Sequence, residues 1–521
     1  MKNLSLRQVP TQIDRKGNSN SFPKIHFSVL PIPHRSIADP KGHDCDFVNI
    51  AHSHLINGDW SKLIDLLPGL NPFRTKHILL KMQRDPVLSL EFYDLALLHK
   101  PNSQKLESHS IILHILTKAR RFKAAESILR TLIPKISSSE LFSSLLNSYR
   151  LCESSPSIFD SLFKTYAHLK KFRSATDTFY CMRDYGFLPT IRSCNAFVSS
   201  LLNLGRTDIV LAFYKEINHC RISPNVYTLN MVMLALCCSG RLEKALQVFG
   251  TMESMGISPI ASSFNTLISA YCNKGLMSSA LQLKNKMQAK GFDPNVITYN
   301  TIIHGFCKEH KLNDASKILK EMNAKNIIPN TVTYNTLICG CSQMNNVEMG
   351  FRIYEDMVKN GVNADIVTYN ALILGFCNEG KTKKAAFLVK EMDSRNLMPN
   401  ASTYSALISV QCKRQNSERA FEIYKAMRKS GCHPNYEIFK ILIVSFCQNK
   451  DFDGALELLK EMLESWITPD KALLNEVFDG LHRSGGTHKA MRFLSNADVL
   501  RFIPEGFFDL KNNLSSLVSG T

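Results

Sequence analysis

Five asparagines stand in one column at 35-residue intervals: Asn230, Asn265, Asn300, Asn335 and Asn370. Each carboxamide offers two donor hydrogens and an acceptor oxygen, so the chemistry available is directional hydrogen bonding rather than bond cleavage. The neighbouring apolar residues recur at three- and four-residue steps, which puts the column inside a helix. Asn has poor propensity there, so five successive repetitions imply a use. The groups that could do covalent or metal chemistry form no such arrangement. No C-x-x-C pair occurs, and there is no glycine-rich phosphate loop and no Asp cluster of the kind a metal-dependent nuclease carries. His304 and His310 are spaced as turn or surface residues. Cys339 and Cys341 alternate within one helix and cannot both face a single metal. The expectation is a non-enzyme with no catalytic residue, metal or cofactor.

Lys plus Arg is 63 against 45 for Asp plus Glu, a formal charge of +18 over 521 residues. That excess suits a polyanionic partner. No uncharged apolar run reaches the roughly 18 residues needed to cross a bilayer, so the chain is read as soluble with no membrane partner. Residues 1–55 differ from the rest: they carry Lys2, Arg7, Arg15, Lys16, Lys24 and Arg35 among scattered Ser and Pro, with Asp14 the sole acid before Asp39. Such a leader is expected to be a disordered transit region, mitochondrial by its Arg content, with a plastid as the alternative.

Behind those five asparagines lies a period. Residues 296–330 (VITYNTIIHGFCKEHKLNDASKILKEMNAKNIIPN) are followed by TVTYNTLICG at 331 and IVTYNALILG at 366. The register holds without gaps from 156 to 470, giving nine units of 35 residues. Pro189, Pro224, Pro259, Pro294, Pro329, Pro399, Pro434 and Pro469 form one column, broken by Ala364. Met182, Met252, Met287, Met322, Met357, Met392, Met427 and Met462 form another, broken by Ile217. The aromatic column includes Phe159, Phe264, Tyr299, Tyr334, Tyr369, Tyr404 and Phe439. Each unit reads as two helices: Tyr299, Ile302, Ile303 and Phe306 mark the first, and Leu312, Ala315, Ile318, Leu319 and Met322 the second. The Pro then stops the second helix. One hairpin cannot bury its apolar face alone, whereas stacked neighbours can. Cys237, Cys272, Cys307, Cys377, Cys412 and Cys447 share one column on the apolar side of the first helix and are expected to pack as small hydrophobes. Residues 56–155 are read as degenerate helical repeats, and 471–521 as a degenerate terminal repeat with a C-terminal cap.

The starts Thr298-Tyr299-Asn300, Thr333-Tyr334-Asn335 and Thr368-Tyr369-Asn370, with the ending Met287, Gly291, Pro294 and Asn295, resemble the pentatricopeptide repeat family. The uniform 35-residue length is similar to its pure class. The resemblance implies an all-α, right-handed α-solenoid of stacked helix-turn-helix hairpins. It also implies single-stranded RNA read one base per repeat. The fifth and last residues of each unit would choose the base. An Asp at the last position can accept the proton on uracil N3 or guanine N1, and an Asn can donate to cytosine N3 or adenine N1. At the fifth position Asn favours pyrimidines, and Ser or Thr favours purines.

Carried over, Asn195 with Asn225, Asn265 with Asn295, Asn300 with Asn330, and Asn370 with Asn400 imply C or, less often, U. Asn335 with Asp365 implies U, and Ser405 with Asn435 implies A. Asp160 with Thr190, Asn230 with Ile260, and Lys440 with Asp470 give no base. The expected target is 5′-?-Y-?-Y-Y-U-Y-A-?-3′, a pyrimidine-rich organellar transcript. The resemblance makes the second residue of each unit a base-sandwiching one, which Tyr227, Ile297, Val332 and Val367 suit. It makes Lys308 and Lys413 phosphate contacts. The last-position Asn residues also suit a plain capping role. The rival reading is a helical scaffold that binds protein partners, for example in an organellar ribosome, without reading bases.

Overall fold

The computed structural model describes residues 29–33, 37–99 and 105–494. The regular structure there is helical, with no strand among the described residues. The chain divides into two compact units, one up to Leu267 and one from Ile268.

The 35-residue period fixes the helix boundaries of the second unit. Val296–Lys308 pairs with Leu312–Ala324, Thr331–Gln343 with Val347–Lys359, Ile366–Asn378 with Thr382–Ser394, Ala401–Lys413 with Ser417–Lys429, and Tyr436–Gln448 with Phe452–Glu464. Each first helix packs on its own second helix and on the first helix of the next pair, so the hairpins stack as a solenoid. The same arrangement holds in the first unit for Ser157–His168 with Phe172–Asp184, Ile191–Leu202 with Thr207–His219, and Val226–Cys238 with Leu242–Met252. A last pair, Lys471–Arg483 and Thr487–Leu494, keeps the spacing. The expected cap beyond it falls largely on residues 495–521, outside the described residues.

The columns are core. All eight methionines of the Met column are fully buried, as are Ala245, Ala280, Ala315, Ala385, Ala420 and Ala455. Each buried Met contributes about 1.5–3 kcal/mol relative to exposure. Five of the six column cysteines are buried, Cys237 being half-buried, and burial pushes the Cys272, Cys307 and Cys447 thiols up to about 12. Such thiols stay protonated and inert. Tyr404 alone of the named aromatic column is only half-buried; its hydroxyl reaches Ser430 Oγ at 3.2 Å instead.

Two left-handed backbone positions per unit turn the chain. Gly205, Gly240, Gly275 and Gly380 reverse it between the two helices, and Gly186, Gly256, Gly291, Gly361 and Gly431 do so after the second. At the first of these turns His310, Gln415 and Lys450 take φ near +60° without glycine's freedom. His310→Gly is therefore expected to stabilise the second unit by about 0.5–1 kcal/mol, the relieved strain exceeding the added chain entropy. Thermal melting checks it: an unchanged or lower midpoint refutes the strain.

The last part of the segment 1–55, expected to be disordered throughout, is helical. A helix spans His43–Asn57, with Val48, Ala51 and Leu55 buried on one face. Leu30 N–H donates to the Asp184 carbonyl at 2.9 Å. The scattered His and Asp of 43–54 hide that apolar stripe in a composition count. Residues 1–28 and 34–36, where most of the transit reading rests, lie outside the described residues. No helix among the described residues is long and apolar enough to cross a membrane.

Candidate nucleic-acid interface

Every first helix here that follows a last-position Asn or Asp is capped by it. Asn225, Asn295, Asn330, Asp365 and Asn400 each accept from the backbone N–H three residues on. In return the Thr at that third position accepts from the cap's own backbone N–H. This capping box satisfies two orphan donors at once. The capping role that the sequence allowed for these residues is thus real, and the same oxygen does a second job.

The fifth residue of the unit reaches that oxygen. Asn335 Nδ2 donates to Asp365 Oδ1 at 3.0 Å, while Thr368 Oγ1 donates to Asn335 Oδ1 at 2.6 Å. The triad recurs in Asn300, Asn330 and Thr333, with distances of 3.4 and 2.7 Å. It recurs in Asn370, Asn400 and Thr403, at 3.1 and 2.5 Å. In the first unit Asn195, Asn225 and Thr228 repeat it at 3.1 and 2.7 Å. The fifth and last positions thus meet although 30 residues apart, because the last residue of one hairpin starts the first helix of the next. Asn265 lies half-buried in the helix Ala261–Asn273, and Asn295 caps Val296–Lys308.

The Thr is the member of the triad that the sequence did not single out. The signal was visible in the repeated T-Y-N, where Thr298, Thr333 and Thr368 recur with the Asn column.

The three units without an assigned base differ in structure as well. Asp160 spends both oxygens on Thr190, accepting from its N–H at 2.7 Å and its hydroxyl at 3.0 Å. Asn230 donates to Ser262 Oγ and accepts from Ser263 Oγ, with apolar Ile260 at the last position. Asp470 accepts from the Tyr436 hydroxyl and caps Leu473, with Lys440 Nζ at 3.6 Å. Asn435 caps Ile438 N–H at 3.1 Å, and Ser405 is half-buried.

One cavity in the second unit gathers the remaining candidates. It measures about 600 Å³ and is lined by Asn335 and Asp365, by Val332 and Val367, and by His304 and Lys308. Val332 and Val367 are the second residues of adjacent units. With Tyr227 and Ile297 at the same repeat position, they stay more than half exposed, although their apolar side chains gain nothing from water. Lys308 Nζ lies 3.4 Å from the Asn273 carbonyl, at the end of the preceding first helix. Lys413 is exposed at the end of Ala401–Lys413. Among the described residues, no three His, Cys, Asp or Glu side chains gather as metal ligands.

Asp365 is the only acid in these triads. Burial would raise its carboxyl pKa. Hydrogen bonds from the Thr368 N–H, the Asn335 amide and the Val367 N–H outweigh that and hold it below the usual carboxylate range. At neutral pH it is an acceptor only.

Stacked hairpins of constant length, joined by a polar triad at four of their junctions, define a helical-repeat protein. Residues 261–308, 294–343, 329–377, 364–413 and 399–443 match the PPR repeat family, residues 212–274 the pentatricopeptide repeat domain, and residues 430–463 the PPR repeat. Residues 212–463 are thus built of repeats of the pentatricopeptide repeat family. A mitochondrial pentatricopeptide repeat-containing protein of Arabidopsis thaliana is 56% identical over 214 residues, which is 40% of this chain and 41% of that one. Another from the same plant is 33% identical over 152 residues, 29% of this chain and 21% of that one. These matches span less than half the length of either relative. Among solved structures, the maize pentatricopeptide repeat protein PPR10 is 18% identical, with a TM-score of 0.46 and coverage of 91% of this chain and 78% of that one. Its complex with an 18-nt psaJ RNA element is 20% identical, with a TM-score of 0.38 over 86% of this chain and 73% of that one.

Proposed function

We propose that this chain binds single-stranded RNA sequence-specifically, one base per repeat, and acts in organellar RNA metabolism. The cavity between Val332 and Val367 carries the reading. It offers two apolar faces spaced one repeat apart, a hydrogen-bonding pair at its wall and a cation at its rim, which together suit a flat base, its edge and a phosphate. Asn195 with Asn225, Asn265 with Asn295, Asn300 with Asn330, and Asn370 with Asn400 read C or U. Asn335 with Asp365 reads U, and Ser405 with Asn435 reads A. The second residues flank the bases, and Lys308 and Lys413 meet phosphates. Asp160 with Thr190, Asn230 with Ile260, and Lys440 with Asp470 are assigned no base.

Such a protein acts by occupancy, without a chemical step: it shields a transcript, holds it open or recruits a partner. A mitochondrial setting draws on the Arg-containing N-terminus and on the location in the Arabidopsis relative's name.

The test is binding by the full chain to an RNA containing CxCCUCA, against an unrelated oligonucleotide of equal length, over a salt series. Binding to the first is expected to be tighter, with affinity for both falling as salt rises. Equal affinity for the two RNAs, or none for either, overturns the reading in favour of a protein-binding scaffold.

A further inference from the structure

We infer that the buried Thr found at the third position of several first helices positions the base-reading Asn of the preceding unit, and so sets how strictly that unit selects a pyrimidine. The inference rests on the base reading proposed above. Thr228, Thr333, Thr368 and Thr403 are fully buried. Their oxygens already accept the N-cap backbone N–H, at 3.2 Å for Asn225, 3.2 Å for Asn330, 3.1 Å for Asp365 and 3.2 Å for Asn400. The hydroxyl proton must then point elsewhere. Its shortest acceptor is the carbonyl oxygen of the fifth-position Asn, at 2.5–2.7 Å. That bond decides which end of the carboxamide faces the protein. With Oδ1 held by Thr, Nδ2 lies toward the last residue and its second hydrogen stays available to a base. Without the hydroxyl, the terminal torsion of Asn is broad and nearly two-fold, so the amide can turn. A capping box alone needs no such third bond, and the bond recurs at Ser263, which donates to Asn230 Oδ1 at 2.7 Å where apolar Ile260 completes no box.

The four units are not equally dependent on the tether. In Asn300–Asn330 the direct amide contact is long, 3.4 Å, so the Thr333 hydroxyl is the main restraint. In Asn335–Asp365 the partner is a carboxylate at 3.0 Å, which holds the amide more strongly without help. The unit of Ser405 and Asn435 has Ile438 at the Thr position and so has no tether.

The experiment measures competition between two RNAs that differ only at the base facing Asn300 and Asn330, C in one and A in the other. The full chain is compared with Thr333→Val and Thr333→Ser. The parent is expected to prefer C by about tenfold or more. Thr333→Ser keeps that ratio, and Thr333→Val brings it below about twofold while ratios at other positions stand. The matching variant Thr368→Val should lose less at its own position. A Thr333→Val protein that melts earlier yet keeps the parent's C-over-A ratio shows a cap and nothing more, and overturns the inference. A parent without any C-over-A preference removes the base reading itself, and the inference with it. If Thr333→Val does not fold by circular dichroism, Thr403→Val carries the same comparison at Asn370 and Asn400.

Discussion

Asp365→Asn in the full chain is expected to turn a preference for U into one for C at a single position of the bound RNA. Asp365 Oδ1 is committed to Asn335 and to the Thr368 N–H. The carboxylate stays ionised at neutral pH, because the donors around it outweigh its partial burial. It can therefore accept the proton on uracil N3 and cannot donate to cytosine N3. Asn at the same place keeps Oδ1 for the cap and turns an N–H outward. Asn and Asp are equivalent N-caps, so stability should hardly move and the change in preference reads out cleanly. A base contact contributes about 1–3 kcal/mol of discrimination, so the U-to-C ratio should swing by roughly 5- to 150-fold. Competition between two oligonucleotides differing at that base measures it, and identical ratios in parent and variant would falsify the assignment. The pH dependence has a definite sign. Asp365 has a depressed pKa in the folded chain, so its contribution to stability is present above the unfolded carboxylate value near 3.9 and is lost as pH falls through the lower folded value. Preference for U should thus persist throughout the neutral range.

Gly340→Val is expected to destabilise the second unit by about 2–3 kcal/mol. First helices pass so closely that a Cβ on Gly340 would lie 2.7 Å from Cys307 Sγ and 2.8 Å from Cys307 Cβ. Gly305 meets Cys272 in the same way, 2.7 Å from its Cβ, and a Cβ on Gly375 would be 2.8 Å from both Ser342 Oγ and Val347 Cγ2. Helix propensity pulls in the opposite direction, since replacing a mid-helix Gly with Ala ordinarily gains about 1 kcal/mol. At Gly340 the clash wins, because the opposing Cβ is fixed to a helix backbone and cannot rotate away. Gly250 is the control: it lies in the helix Leu242–Met252 with nothing within 4 Å of its missing Cβ, so Gly250→Ala should stabilise by about 0.5–1 kcal/mol. In a stacked array a local defect need not unfold the whole chain, so hydrogen exchange resolved along the sequence is the better measure. Unchanged protection across 296–378 in Gly340→Val would refute the packing argument.

Helix boundaries were legible because the period over-determines them. Predicted unit starts at 296, 331, 366 and 401 coincide with helix starts at Val296, Thr331, Ile366 and Ala401. The paired positions of the candidate site were legible through the resemblance, and their contact follows from chain geometry that no composition count contains. Three features were not legible. The turns at His310, Gln415 and Lys450 carry no Gly or Asn, so nothing in the residue type announces φ near +60°. The helix His43–Asn57 lies within a stretch whose overall composition resembles a leader. The tethering Thr looked like part of a family signature, and its role emerges only when the hydroxyl is traced across a hairpin junction.

That junction has a consequence for anyone who would rearrange these modules. The sequence repeat and the working repeat are out of phase: Asn300 and Asn330 belong to one block of 35, but the hydroxyl steadying them, Thr333, belongs to the next. Excising a block at its sequence borders would leave its reader dependent on whichever neighbour is grafted downstream. A transplant cut a few residues further along, past that Thr, would carry its own specificity intact.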